Sequence, residues 1–365
     1  MPRSKEEALA AGVKIRETQH NMKRRKPWHN YYHKGTYMLT MVVEGRKPVL
    51  GRLIIPAADA AGIEAGKPAG VKTGKTAGAA TPAASAAGSY IELTALGRAI
   101  RDEEIRKIST IYKTVKVWKL CIMPDHIHMI VRITEDLPEG KHLGHIVAGF
   151  KGGCSRAWWR MNMPAADAAG SSPHLPALFE SGYNDQILLE EGQLDNWKHY
   201  LDDNPRRLAI KRLCPDFFIT LNYADIAEWH CQLVGNKFLL DIPQKVAVIV
   251  HNAYSDKDYA DLREKWLACG EAGGVLVSAA IATREKEVMR EAMDRGYRII
   301  LVRENGFPPL YKPSGESFDA CSDGRLLQVS PWQYHMERRC ISREQCLMLN
   351  RLVEDIVKYI PIEIH

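Results

Sequence analysis

The chain has 365 residues, 45% hydrophobic and 26% charged, a composition ordinary for a globular protein and long enough for two domains. No stretch approaches the roughly 18 consecutive apolar residues of a membrane span, and the opening MPRSKEEALAAGVKIRE lacks the apolar region of a secretory signal. The eight cysteines form no C-x-x-C pair, so reduced cytoplasmic thiols are expected rather than a zinc knuckle or disulfide framework. The formal net charge is +6 but unevenly spread: residues 1–55 hold twelve Lys and Arg against four Glu.

In chain order, residues 1–27 read as a basic tail. Its run Lys23, Arg24, Arg25, Lys26 is followed by Trp28, Tyr31 and Tyr32. Cations and aromatics together suit a phosphate backbone with unstacked bases, although a solvated tail has the same composition. Residues 36–55 read as a hairpin around the turn Glu44-Gly45-Arg46-Lys47-Pro48. Residues 56–89 are mostly Ala, Gly, Pro, Thr and Ser and bury too little to order themselves. The heptapeptide PAADAAG recurs at 56–62 and 164–170, which marks 56–89 and 163–176 as flexible insertions in surface loops. AGVKTGKT (69–76) imitates a phosphate-binding loop. Ala69 stands in place of its first glycine, and neither strand nor helix flanks it, so it is rejected.

Residues 91–114 have helical periodicity, with Thr94 as N-cap. VKVWKLCIMPDHIHMIVRI reads as strand, Pro-Asp break and strand, and GKHLGHIVAGFKGGCSRAWWRMN as a helix with Lys151 and Arg156 on its polar side. Residues 193–208 read as a helix that should stop near Asn204, because a proline disfavours helical geometry in the residue before it. Residues 213–242 read as a connector. From 243 strand and helix patterns alternate through to a closing helix at 342–360, the signature of parallel strands with covering helices.

On a strand, residues two apart share a face. His126 and His128 therefore point one way, and Ile127, Met129, Val131 and Ile133 the other, into a core. Two neutral imidazoles on rigid backbone suit a divalent metal. Tyr200 and Asn204 lie one helical turn apart on a shared face. Two imidazoles and an amide oxygen would leave room for water and a phosphate oxygen, and the phenol could attack phosphorus. Taken singly, the pair could equally be hydrogen-bonded sheet histidines, and Tyr200 an ordinary amphipathic-helix aromatic.

The ordered set distinguishes them. MPDHIH, then Phe150-Lys151, Gly182-Tyr183-x-Asp185 and Tyr200-Leu201-x-x-Asn204-Pro205, with Tyr31-Tyr32-His33-x-Gly35-Thr36-Tyr37 ahead, resembles the IS200-like transposases. More closely it resembles the REP-associated tyrosine transposases, a branch of the HUH endonucleases. The resemblance covers about residues 28–212. It implies an α+β ferredoxin-like domain, an antiparallel sheet with helices. It also implies His126, His128 and Asn204 as metal ligands for Mg²⁺ or Mn²⁺, and Tyr200 as nucleophile. The reaction would cut and rejoin single-stranded or hairpin DNA through a 5′-phosphotyrosine. Tyr183 is the alternative nucleophile. Lys23, Arg24, Arg25, Lys26, Lys151 and Arg156 would contact DNA, and Gly152-Gly153 should break the helix that carries the last two. Residues 243–365 read as an α/β Rossmann-like domain. VLVS, the helix after it and Pro309-x-Tyr311-x-Pro313 resemble DNA-processing protein A, but Ala279-Ala280-Ile281-Ala282 stands where glycines are expected. A silent hairpin-binding protein and a nucleotide sensor acting through the C-terminal domain are the competing functions. The expected oligomeric state is monomer or homodimer.

Overall fold

The computed structural model describes residues 29–56, 86–162, 176–251, 253–309, 311–336 and 341–359. The runs Lys23–Lys26 and AGVKTGKT and nearly all of both insertions lie outside these residues. The chain is α+β and divides into two compact units. One comprises Met1–Ile54 and Tyr90–Pro205; the other comprises Ile55–Ser89 and Arg206–His365. Among the described residues no helix is long and apolar enough to cross a membrane.

The first unit contains a four-stranded antiparallel sheet ordered β4-β5-β1-β6. Its strands are β1 (Gly35–Val42), β4 (Val115–Ile122), β5 (His126–Ile133) and β6 (Asn184–Ile187). One face carries Tyr37, Leu39 and Met41 of β1 and Ile127, Met129, Val131 and Ile133 of β5, all buried. Helix α3 (Leu143–Asn162) lays Leu143, Ile146, Val147 and Phe150 into this core. Each such side chain removed from water is worth about 1.5–3 kcal/mol.

β2 (Gly51–Ile54) and β3 (Tyr90–Leu93) pair with each other. The expected 36–55 hairpin is therefore not formed. β1 already bonds β5 on one edge and β6 on the other, so it has no edge for β2. The segment between the paired ends of β2 and β3 includes the whole of the 56–89 insertion.

Thr94 caps α1 (Ala95–Ala99), its hydroxyl accepting from Gly97 N at 3.1 Å. A π turn (Ile100–Glu104) leads into α2 (Ile105–Ile111). The expected break at Gly152-Gly153 does not occur, and α3 is continuous. A Cβ on Gly153 would fall 2.2 Å from Glu104 Oε2. Glu104 is buried and paired with Lys107 at 2.5 Å. Gly153 thus serves close packing of α3 on the π turn, a demand that outweighs its poor helix propensity.

Helix α4 (Gln193–Leu213) also runs past its expected stop, with Pro205 inside it. The proline removes one backbone bond at a cost of about 3 kcal/mol. Leu201 and Asn204 are buried before it and Arg207, Ala209 and Ile210 after it, so packing on both sides of the break holds the helix. Leu201 packs on Met38 and Ile130, with Trp197 and Tyr200 beside it. These strand residues face away from the α3 core, so β5 is buried on both faces at its centre.

The second unit is built on a six-stranded sheet ordered β7-β8-β12-β11-β10-β9. The strands β9 (Lys245–Ala247), β10 (Val275–Ser278), β11 (Arg298–Val302) and β12 (Leu326–Ser330) are parallel. The 213–242 segment, expected as a connector, contributes β7 (Ile219–Ile226) and β8 (Trp229–Gly235) to this sheet, and β8 pairs antiparallel with β12. Its run of buried Cys231, Leu233 and Val234 finds a face only once β12 is placed beside it. Helices α5 (Asp256–Glu271), α6 (Thr283–Asp294) and α7 (Glu316–Ser322) contribute to one core cluster, and α8 (Arg343–Lys358) to the other.

Candidate active site

β5 alternation places His126 and His128 on the sheet face covered by α4. Asp125 Oδ1 lies 2.6 Å from His126 Nδ1, and Asp125 Oδ2 lies 3.2 Å from Arg46. The His126 hydrogen bond, aided by Arg46, holds the Asp125 carboxyl below its usual range. A carboxylate at Nδ1 keeps the proton there and leaves the lone pair on Nε2. β1 pairs Thr40 with His128, and the Thr40 hydroxyl lies 2.8 Å from His128 Nδ1. With that hydroxyl accepting, His128 also presents its lone pair at Nε2. The two Nε2 atoms are 3.1 Å apart. Two facing lone pairs repel, and a proton or metal cation bound by both turns the repulsion into attraction.

The helix brings the other two candidates to the same face. The Tyr200 ring centroid lies 6.2 Å from that of His128, at 69°. Trp197 meets Tyr200 edge-on at 5.3 Å. Asn204, one turn further, is buried, and its Nδ2 has no hydrogen-bond partner among the described residues. A buried amide group without a partner costs about 1–3 kcal/mol, and a carboxamide can be turned to present its oxygen instead. Lys119 of β4 reaches Asp202 of α4 at 2.5 Å. No group of three or more His, Cys, Asp and Glu with metal-site geometry occurs among the described residues. The donor set available here is two imidazoles and a carboxamide. Cys121 stands opposite His128 in the β4–β5 register, but burial pushes its thiol up to about 12, so it is a neutral wall.

The remaining candidates lie elsewhere. Tyr183 packs with the α3 core on the opposite face of the sheet from the imidazoles. Lys151 donates to the carbonyls of Glu180 and Gly182, at 2.5 and 2.7 Å, and so ties down the loop before β6. Arg156 is exposed on α3. Neither cation shares the histidine face. Sequence reasoning missed Asp125 and Thr40. Asp125 directly precedes the pair in PDHIH, whereas Thr40 emerges only from the strand register.

Asp125→Asn is expected to free His126 to take the other tautomer. Loss of such an orienting carboxylate typically lowers metal affinity 10–100-fold. Titration of Mn²⁺ into wild type and variant measures this; equal affinities would remove the orienting role.

No family model matches the chain, and no curated protein matches it. Among solved structures it is similar to a REP-associated tyrosine transposase bound to a REP hairpin. Identity is 15% and TM-score 0.28, over 50% of this chain and 73% of that one. It is similar to DNA processing protein A from Helicobacter pylori, at 19% identity and TM-score 0.28, over 38% and 65%. It is also similar to a Deinococcus radiodurans protein described as a transposase, at 17% identity and TM-score 0.22, over 49% and 97%. Each of these likenesses is weak.

Proposed function

We propose that residues 28–212 form a metal-dependent single-strand DNA endonuclease of the REP-associated tyrosine transposase type. The observation that carries this reading is the convergence of the His126 and His128 Nε2 atoms at 3.1 Å, beneath a helix bearing Tyr200 and Asn204. The sheet order β4-β5-β1-β6 supports a ferredoxin-like domain. The parallel β9–β12 strands with their covering helices support a Rossmann-like domain over 243–365.

In this reading the Tyr200 oxygen attacks a backbone phosphorus, and the bond to the 3′ oxygen breaks. The products are a 5′-phosphotyrosine and a free 3′-OH, which can reverse the step and rejoin strands. The phenol must shed its proton, which from an unperturbed pKa near 10 requires nearby positive charge. His126, His128 and Asn204 would hold Mg²⁺ or Mn²⁺, which supplies polarisation of the phosphate and stabilisation of developing charge. Asp125 and Thr40 keep both imidazoles aimed.

The test mixes the full chain with labelled hairpin DNA and either cation, then seeks a covalent adduct that survives denaturation. An adduct is expected. Strongly salt-dependent hairpin binding with no adduct under either cation would replace the enzyme with a hairpin-binding protein.

A further inference from the structure

The second unit has a feature that the DNA-cleaving reading does not use. In open α/β sheets ligands sit outside the carboxyl ends of the strands, with phosphate on a helix N-terminus. The turn from β10 into α6 has that geometry, but it is already filled. The buried Glu285 accepts from Ile281 N at 2.7 Å and Ala282 N at 3.2 Å through one oxygen. Its other oxygen accepts from Val250 N at 2.8 Å. A phosphate at this turn would meet a carboxylate holding the amides it needs.

Beyond the ends of β11 and β12, a cleft of about 940 Å³ lies between the β7–β8 hairpin and the loop after β11. No carboxylate is among its lining residues, whereas Lys211 and Lys312 both are. Lys211 forms no ion pair among the described residues; its ammonium lies 5.9 Å from the Phe218 ring and 5.6 Å from the Phe318 ring. Burial, with Lys312 and Arg207 nearby, pushes that ammonium down to about 8. Uncompensated positive charge in a half-buried cleft favours an anion.

The other lining groups suit a planar heterocycle. Phe307 and Tyr311 form a tilted pair with centroids 5.1 Å apart. Gln232 is fixed by Phe307 N, which donates to its Oε1 at 3.0 Å. Tyr311 donates to Oε1 of Gln328 at 3.1 Å. Gln328 is buried outside the lining and anchors the Tyr311 phenol.

We propose that this cleft binds a nucleotide, its phosphate on Lys211 and Lys312 and its base against Phe307 and Tyr311. Aromatic stacking tolerates any base, while the lining carboxamides of Gln232 and Gln333 select among base edges. The same chemistry fits a free mononucleotide or one unstacked nucleotide of a single strand.

Calorimetry on the full chain with AMP, GMP, CMP, dTMP, inorganic phosphate and a short oligo(dT) tests it. Saturable binding of at least one mononucleotide is expected, weakened roughly tenfold by Lys211→Gln and by Lys312→Gln, the loss of one charge-assisted contact. Lys312 is exposed, so its substitution leaves folding intact. Oligo(dT) binding much tighter than dTMP, with the same sensitivity to both variants, identifies a strand as the source; equal affinities identify the free nucleotide. Silence with every nucleotide and oligonucleotide overturns the proposal. So does phosphate binding as tight as any nucleotide, or indifference to both variants. Mononucleotides contain no internal phosphodiester, so this outcome is independent of strand cleavage at Tyr200.

Discussion

Tyr200→Phe is expected to abolish the covalent DNA adduct and to slow hairpin cleavage by roughly 10³-fold or more, the scale on which a lost nucleophile is felt. The substitution removes one oxygen. The ring that meets Trp197 at 5.3 Å and His128 at 6.2 Å remains, so folding and hairpin affinity should be preserved. His126→Ala is expected to leave binding largely intact while removing the cleavage that Mg²⁺ or Mn²⁺ supports. Tyr183→Phe is the control. Tyr183 packs on the far face of the sheet, so adduct formation should be unchanged. An adduct that persists in Tyr200→Phe and vanishes in Tyr183→Phe would reverse the assignment.

Gly97→Ala is expected to destabilise the first unit by about 3 kcal/mol, at the upper end of overpacking costs. A Cβ there would lie 2.1 Å from the carbonyl oxygen of Leu50 and 3.2 Å from its carbon. Backbone cannot rotate aside as a side chain can. Leu50 is held by its own amide on Pro124 O at 3.0 Å and by Thr94 N on its carbonyl at 3.1 Å. Displacing Leu50 also pulls on Pro124, which adjoins Asp125, so cleavage should fall along with stability. Gly149→Ala provides the contrast. That glycine is exposed in α3 with nothing within 4 Å of its Cβ position, and alanine there should stabilise by about 0.5–1 kcal/mol. Urea unfolding followed by far-ultraviolet dichroism measures both; a Gly97→Ala midpoint equal to wild type would refute the close approach.

The failures of sequence reading share one cause. Pro205 and Gly152-Gly153 were judged by local rules, and in each case burial on both sides of the breaker overrode the local cost. The 36–55 hairpin failed because a strand's partners depend on which edges are free, and β1 has none left. The β7–β8 pair went unread because its apolar run needs β12, some ninety residues later, to make sense as a strand. Lys151 looked like a surface cation until the loop carbonyls that receive it were in place.

What the residues alone determined was periodicity. The strand alternation that sends His126 and His128 one way and four aliphatic or thioether side chains the other follows from a two-residue repeat. So does the helical spacing that aligns Tyr200 with Asn204, and the Thr94 cap rests on equally local chemistry. Tertiary structure decided what faces what. It set the α4 face over the imidazoles, Thr40 beside His128 through the β1–β5 register, and Glu285 in the amides of the β10–α6 turn. Local repeats depend on a few bonds of one segment, whereas these meetings depend on burial shared by segments tens of residues apart, which no single stretch of sequence contains.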